Sequence, residues 1–226
     1  MRKLLAEFLG TFMVVSVVCG IGALAPSGGA PWAMALGAGF SVFAMMSALG
    51  HISGGHFNPV LTVGLAAAGR HPYTSVPGYL VAQLLGAIAA GFVWFVILSA
   101  RSGSGAVDLG TFAANGFDAG SPGRFAIAAV GLAELLASAL LVIVFAGATS
   151  RHAASIMAPI AVGSGVAALM LLLLPIDGGG LNPARSTASA LLGGQLAAGQ
   201  LWLFWAAPIA GAIIGGLLSR LVTPVD

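Results

Sequence analysis

The chain has 226 residues, of which 59% are hydrophobic and 6% charged, with a mean hydropathy of +1.05 and a formal net charge of +2. Soluble domains carry about 25% charged residues, so this composition excludes a soluble globular protein. The small net charge, with no basic run, excludes a nucleic-acid partner. The length leaves room for about six membrane-spanning helices and no separate soluble domain, so we predict a single membrane domain over residues 1–226.

Six apolar segments are long enough to span a bilayer, which takes about 20 predominantly apolar residues in a helix. We predict spans at about 4–24, 32–49, 76–100, 125–146, 153–174 and 200–221. The stretch 101–124 is rich in Gly, Ser, Asp and Asn and is predicted to be a loop.

Two shorter segments each follow a run of glycines and begin with Asn-Pro, at Asn58-Pro59 and Asn182-Pro183. Asn is a preferred helix N-cap, and Pro is favoured at the first helical position. The predicted helices end near residues 68 and 192. Eleven residues reach roughly 16 Å, about half of a ~30 Å hydrocarbon core. Each segment therefore predicts a half-helix that enters the membrane and turns back.

The two halves of the chain, about 1–100 and 124–226, repeat each other. Three matching pairs, separated by 124 to 127 residues, are Glu7 with Glu134, Asn58 with Asn182, and Gly86 with Gly211. Each half has an odd number of full spans, so the second half is predicted to be inverted in the membrane. Inverted repeats built around broken helices place a permeation site at the midplane.

Basic residues predict the orientation. With the N-terminus in the cytoplasm, most of them fall on the cytoplasmic side: Arg2, Lys3, Arg70, Arg151 and Arg220. Arg101 and Arg124 fall outside, which agrees with the positive-inside tendency. We expect a multi-pass protein with a cytoplasmic N-terminus. The compact length and the lack of a targeting peptide suggest a bacterial inner membrane.

The runs 50–60 and 181–186, Gly-His-Ile-Ser-Gly-Gly-His-Phe-Asn-Pro-Val and Leu-Asn-Pro-Ala-Arg-Ser, resemble the major intrinsic protein family, the aquaporins. The resemblance covers nearly the whole chain. It implies an all-α membrane fold of six transmembrane helices plus two re-entrant half-helices in an inverted repeat. It also implies a homotetrameric passive channel for water and small neutral solutes, without enzymatic activity, cofactor or metal.

The central constriction of such a pore is predicted from the two half-helix starts: Asn58, Pro59, Val60, Asn182, Pro183 and Ala184. Each helix N-terminus carries roughly half a positive charge, so two that face each other repel cations. Each Asn oxygen is expected to cap its own helix, which leaves the amide N–H groups free to donate into the pore. Val60 departs from the family pattern, which has Ala there.

Four further residues flank the half-helices. Glu7 and Glu134 lie within predicted spans, where buried carboxylates need donors. The resemblance implies that each accepts backbone N–H groups from the loop before a half-helix. The resemblance also implies that His51 and His56 brace the first loop or line the inner vestibule. Two His residues without Cys or carboxylate neighbours are a weak metal signal.

The resemblance places an outer selectivity filter at Ala38, Met170, Gly179 and Arg185. Arg185 is the basic residue predicted at membrane depth, where a charge is costly unless it faces water or a partner. Water-selective members have an aromatic residue at the position of Ala38 and a histidine at that of Met170. The ring predicted here is therefore wider and more apolar, similar to that of a nodulin-26-like subgroup and its bacterial relatives.

Three functions stay open from the sequence. The filter favours a channel that also passes glycerol or metalloid acids such as arsenous and boric acid. Ser186 and the pair Phe204-Trp205 resemble the water-selective branch instead. A coupled secondary transporter is the alternative of another class, since transporters also use inverted repeats with broken helices. An alignment slip from Ala38 to Phe40 would restore an aromatic residue to the filter.

Overall fold

A computed structural model describes residues 1–24, 31–100 and 113–222 of the chain. The helices in these ranges are α1 (Arg2–Leu24), α2 (Pro31–Ser53), α3 (Pro59–Ala67), α4 (Val76–Ser99), α5 (Ile127–Ala148), α6 (Ala158–Asp177), α7 (Pro183–Leu192), α8 (Gly194–Gln200) and α9 (Leu203–Val222). Within the described ranges there is no β-strand. The predicted loop 101–124 lies outside the described residues up to position 112, and the rest is irregular apart from a 3-10 turn at Asp118–Gly120.

In the part of the chain that the structure describes, six helical segments are long and apolar enough to cross a membrane, which confirms the predicted all-α membrane fold. Two of them end three or more residues later than predicted. Helix α2 continues to Ser53, and α6 continues through Pro175 to Asp177, where Gly178 ends it in the left-handed conformation at φ 87°. A residue that must adopt positive φ favours glycine, which explains this helix end. The last span consists of α8 and α9, with a break at residues 201–202.

The two half-helices are α3 and α7, and both begin with proline as predicted. Their N-caps, Asn58 and Asn182, have extended backbones. An extended N-cap followed by proline at the first helical position is the local arrangement that these residue types favour.

Equivalent helices pack together in each half. Helix α1 packs on α4 as α5 packs on α9, while α2 packs against α6 between the halves. A Cβ added at Gly86 would lie 2.3 Å from the Phe8 carbonyl oxygen, and one added at Gly211 would lie 2.1 Å from that of Leu135. The two repeated glycines therefore mark the places where these helix pairs come closest, a use of small residues common in membrane proteins.

Candidate pore

The two half-helices meet N-terminus to N-terminus. The Oδ1 atom of Asn58 accepts from the Val60 N–H at 2.9 Å, and that of Asn182 accepts from the Ala184 N–H at 3.0 Å. The side-chain amides then cross between the halves: Asn58 Nδ2 donates to the Leu181 carbonyl at 3.0 Å, and Asn182 Nδ2 donates to the Phe57 carbonyl at 3.1 Å.

These crossed hydrogen bonds correct one expectation. Both amide hydrogens of each Asn were expected to be free for the pore, but one on each side is used to hold the opposite loop. An amide nitrogen has two hydrogens, so one donor on each side is left for a solute. Asn58 and Asn182 both line a narrow space of about 30 Å³ at this level.

The residue before each Asn has an unusual backbone conformation. Phe57 has φ 51° and Leu181 has φ 60°, in the left-handed region that bulky residues rarely adopt. The carbonyls of these two residues are the acceptors of the crossed bonds. The strain at positions 57 and 181 thus accompanies the contact that joins the halves.

Val60, the departure in the first motif, does not line this space. Its side chain is fully buried in the hydrophobic core, and its N–H serves the Asn58 cap. Pro59, Pro183 and Ala184 are likewise buried at the helix starts.

The loop before α3 is held by Glu7, which is fully buried. Its carboxylate receives four hydrogen bonds. The donors are the Ser53 hydroxyl at 2.6 Å, the His56 N–H at 3.0 Å, the Phe57 N–H at 2.7 Å and the Gln83 amide at 2.7 Å. Since every one of these groups is buried, Glu7 satisfies donors that would otherwise be left without a partner.

The loop before α7 is held by two carboxylates. Glu134 accepts the Leu181 N–H with both oxygens, each at 3.0 Å. Asp177 Oδ1 accepts the Gly179 N–H at 2.8 Å and the Gly180 N–H at 3.2 Å. Asp177 was missed from the sequence because the fifth span was predicted to stop at residue 174. The repeat carried a signal, since Asp177 stands five residues before Asn182 as Ser53 stands five before Asn58.

Three of the four predicted filter residues, Ala38, Met170 and Arg185, line the same narrow space. Gly179 lies beside Met170, because a Cβ added there would be 3.1 Å from the Met170 Cε atom. Phe40 is 66% exposed on the outside of the helical bundle. It does not line the narrow space, which argues against the slip from Ala38 to Phe40.

Arg185 is buried and held by groups from two loops, at Gly178 and Asn115. Its Nη2 donates to the Gly178 carbonyl at 3.1 Å, and its Nη1 donates to Asn115 Oδ1. The same Asn115 oxygen accepts from the Ser186 hydroxyl at 2.8 Å. Asn115 was missed because it belongs to the stretch predicted only as a loop. An Asn-Gly pair there gave no more than a turn signal.

A wider vestibule of about 500 Å³ opens on the side of the bundle that holds His51 and His56, and both line it. His51 is exposed at the end of α2. His56 is buried, with Nδ1 3.1 Å from the Thr62 hydroxyl and its ring centroid 4.9 Å from that of His71. Burial, with a smaller contribution from the Lys3 charge, lowers the pKa of His71. Among the described residues, no three His, Cys, Asp or Glu side chains are placed to hold a metal ion.

The described residues contain six apolar spans and two half-helices that meet head to head. A vestibule and a narrow space lined by a buried arginine lie within this bundle. These features define a membrane channel. The major intrinsic protein family model matches residues 1–219. Aquaporin Z of Photorhabdus laumondii is 43% identical over 226 residues, covering 98% of this chain and 97% of that protein. Aquaporin Z of Rhodopseudomonas palustris is 40% identical over 228 residues, covering 99% and 94%.

The chain therefore belongs to the major intrinsic protein family. It is a passive channel for water and small solutes in the lipid bilayer, and it is not an enzyme. Membership of this channel family excludes the alternative of a coupled secondary transporter. The X-ray structure of the aquaglyceroporin from Plasmodium falciparum has the same fold, with a TM-score of 0.80, 20% sequence identity and coverage of 98% of this chain and 96% of that chain.

Proposed function

We propose that this channel passes neutral solutes larger than water, with glycerol and the metalloid acids, arsenous and boric acid, as the candidates. The observation that carries the proposal is the pair Ala38 and Met170 at the narrow space. Ala38 leaves out the bulk of an aromatic ring, and the Met170 thioether is flexible and makes no strong hydrogen bond. A solute with a larger apolar surface gains room and contact, while water loses polar groups.

In this proposal the buried Arg185 guanidinium excludes cations and donates hydrogen bonds to solutes, and Gly179 keeps the wall beside Met170 free of a side chain. Asn58 and Asn182, at the starts of the two half-helices, form the central constriction. Their remaining amide hydrogens orient a solute oxygen, and the two positive helix ends repel cations. Glu7 and Glu134 hold the loops, while His51 and His56 line the inner vestibule.

A water-selective channel is the second candidate function. The space at Ala38 and Met170 is only about 30 Å³, and two relatives at 40% and 43% identity are named Aquaporin Z. A site holds one water when about 10–15 Å³ is open to its centre, so the narrow space fits water without rearrangement.

We also propose a single domain of two inverted halves over 1–226, a homotetramer, and a bacterial inner membrane with a cytoplasmic N-terminus. The basic residues support the orientation. Arg70 donates to the carbonyls of Ala146 and Thr149, and Gly69 lies against Arg220. The region 69–70, the end of α5 and Arg220 thus gather at one end of the bundle, as the positive-inside tendency requires of a cytoplasmic face.

The test is stopped-flow light scattering on proteoliposomes with water, glycerol and urea, and uptake of arsenous acid in parallel. The wild type is compared with Ala38→Phe/Met170→His. We expect glycerol and arsenous acid flux to fall by about tenfold in the double variant, the low end of what a change of pocket size gives, with water flux retained.

Phe40→Ala, on the exposed face of the same helix, is the matched control and is expected to change none of these fluxes. A wild type that passes water and none of the larger solutes would overturn the wide filter and leave the water-selective channel.

A further inference from the structure

The second pore loop contains a run of three glycines, Gly178–Gly180, which supplies no side chains to hold it. Gly178 and Gly179 have φ 87° and 78°, where glycine is favoured. A Cβ at Gly180 would lie 1.9 Å from Glu134 Oε1, so this position has no room for a side chain at all. The order of this loop has to come from groups outside the triplet, because glycine loses the most conformational freedom on folding.

Asp177 and Glu134 provide that order. Between them they accept the N–H groups of three successive residues, 179 to 181. The residues they hold lie beside Met170, at Gly179, and supply the Leu181 carbonyl that receives Asn58. The carboxylate pair thus fixes the backbone beside the narrow space that Met170 lines.

The two carboxyl groups lie side by side, because Asp177 accepts the Gly180 N–H and Glu134 accepts the N–H of the next residue, Leu181. Both residues are fully buried. Within the described part of the chain, Asp177 Oδ2 has no donor. Two ionised carboxylates side by side in a buried site repel each other, and a carboxylate without a donor is costly there.

The first half of the chain shows which hydrogen bonds the residue five positions before the Asn makes. Ser53, the counterpart of Asp177, accepts the Gly55 N–H at 3.2 Å and donates its hydroxyl hydrogen to Glu7 at 2.6 Å. Asp177 accepts the equivalent Gly179 N–H in the same way. To complete the pattern it must donate to Glu134, and a carboxyl group donates only when it carries a proton.

We infer that Asp177 is a positioning residue of the pore, and that it and Glu134 share one proton across their contact. The proton lies between Asp177 Oδ2 and Glu134, where the first half has the Ser53 hydroxyl hydrogen. The pair then carries a single negative charge, which the nearby buried Arg185 guanidinium balances. Asp177 thereby holds the triplet without adding an unpaired charge beside the narrow part of the pore.

Water flux in proteoliposomes tests this with Asp177→Ala and Asp177→Asn. We expect Asp177→Ala to lower flux per folded channel about fivefold, the effect of one net hydrogen bond. Asn has the shape of a protonated Asp, with an oxygen to accept and an N–H to donate. Asp177→Asn is therefore expected to recover most of the flux that Asp177→Ala loses. Asp118→Asn, an exposed acid in the outer loop, is the matched control.

Infrared difference spectroscopy gives a second measurement that does not depend on flux. The wild type should show a carboxylic-acid C=O band that is sensitive to deuterium exchange and absent from Asp177→Asn. Glu7 receives four donors, so its contribution should not change. The inference is wrong if no acid band is lost in Asp177→Asn, if Asp177→Asn is as impaired as Asp177→Ala, or if Asp177→Ala conducts water like the wild type.

Discussion

The two loops that lead to the half-helices are both held by buried carboxyl groups, but the residues and their hydrogen bonds differ. In the first half, a single carboxylate, Glu7, takes four donors that include a hydroxyl and a side-chain amide. In the second half, Glu134 takes one backbone N–H, and Asp177 takes the two that precede it. The first loop depends on one fully satisfied anion, and the second on two carboxyls placed side by side.

The difference follows from the sequence of each loop. The first loop contains His56 and Phe57, whose bulky side chains pack in the bundle. The second contains a glycine triplet, whose backbone needs more contacts of its own. The half-helices meet symmetrically in spite of this difference, because the crossed Asn bonds are the same on both sides to within 0.1 Å, at 3.0 and 3.1 Å.

The largest effect is expected from removal of the first carboxylate. Glu7→Ala leaves three buried donors without an acceptor, each at a cost of about 1–3 kcal/mol, and removes one of the two hydrogen bonds of the Gln83 amide, which also donates to Thr62. We expect little folded protein by size-exclusion chromatography after extraction in mild detergent. Glu134→Ala is the matched variant and should retain more, since it frees one backbone N–H and removes the contact with Asp177, while Asp177 still accepts the N–H groups of Gly179 and Gly180. Equal losses in the two variants would contradict the asymmetry of the loops.

A smaller and symmetric effect is expected at the contact between the half-helices. Asn58→Ala and Asn182→Ala each remove a helix cap, which costs ~1 kcal/mol, together with one crossed bond. The two should lower the thermal unfolding midpoint by similar amounts. Because the residues belong to one contact, the double variant should cost less than the sum of the single ones, by about 0.5 kcal/mol or more. Strict additivity would show that the two bonds do not act as one contact.

The smallest effect on stability is expected at His71, which has no counterpart in the second half. The pKa of His71 is lowered in the folded protein, so the folded protein binds a proton on this ring less readily than the unfolded chain does. In the unfolded chain the pKa of this histidine has its ordinary value of 6.5. The contribution of His71 to stability is therefore fully present above pH 6.5 and is lost as the pH falls through the lowered pKa. The effect is modest because the ring is partly exposed.

His71→Gln should flatten this decline when the thermal midpoint is measured from pH 8 to pH 5, a range in which histidine titrates. The exposed His152→Gln is the matched control and should leave the wild-type profile in place. An unchanged decline in His71→Gln would assign the acid sensitivity to other groups.

The membrane class, the number of spans and the two half-helices could be predicted from the amino-acid sequence alone. These depend on local properties: an apolar run of spanning length, an N-cap followed by proline, and a glycine that ends a helix. The repeat of Glu, Asn-Pro and Gly at nearly constant separation further predicted which residues correspond. Ala38, Met170 and Arg185 were also predicted to be close together, and the structure gathers them around one space.

The tertiary structure decided the contacts that join residues far apart in the chain. Asn58 donates to the carbonyl of Leu181, and Arg185 is held by Asn115, from a stretch that reads only as a loop. Asp177 reaches the backbone of the second loop because α6 continues to this residue, three positions beyond the end that the sequence predicts. Val60 departs from the motif but packs into the core, away from the pore. A residue's type limits the bonds that it makes, but the packing of the helices determines which groups it reaches.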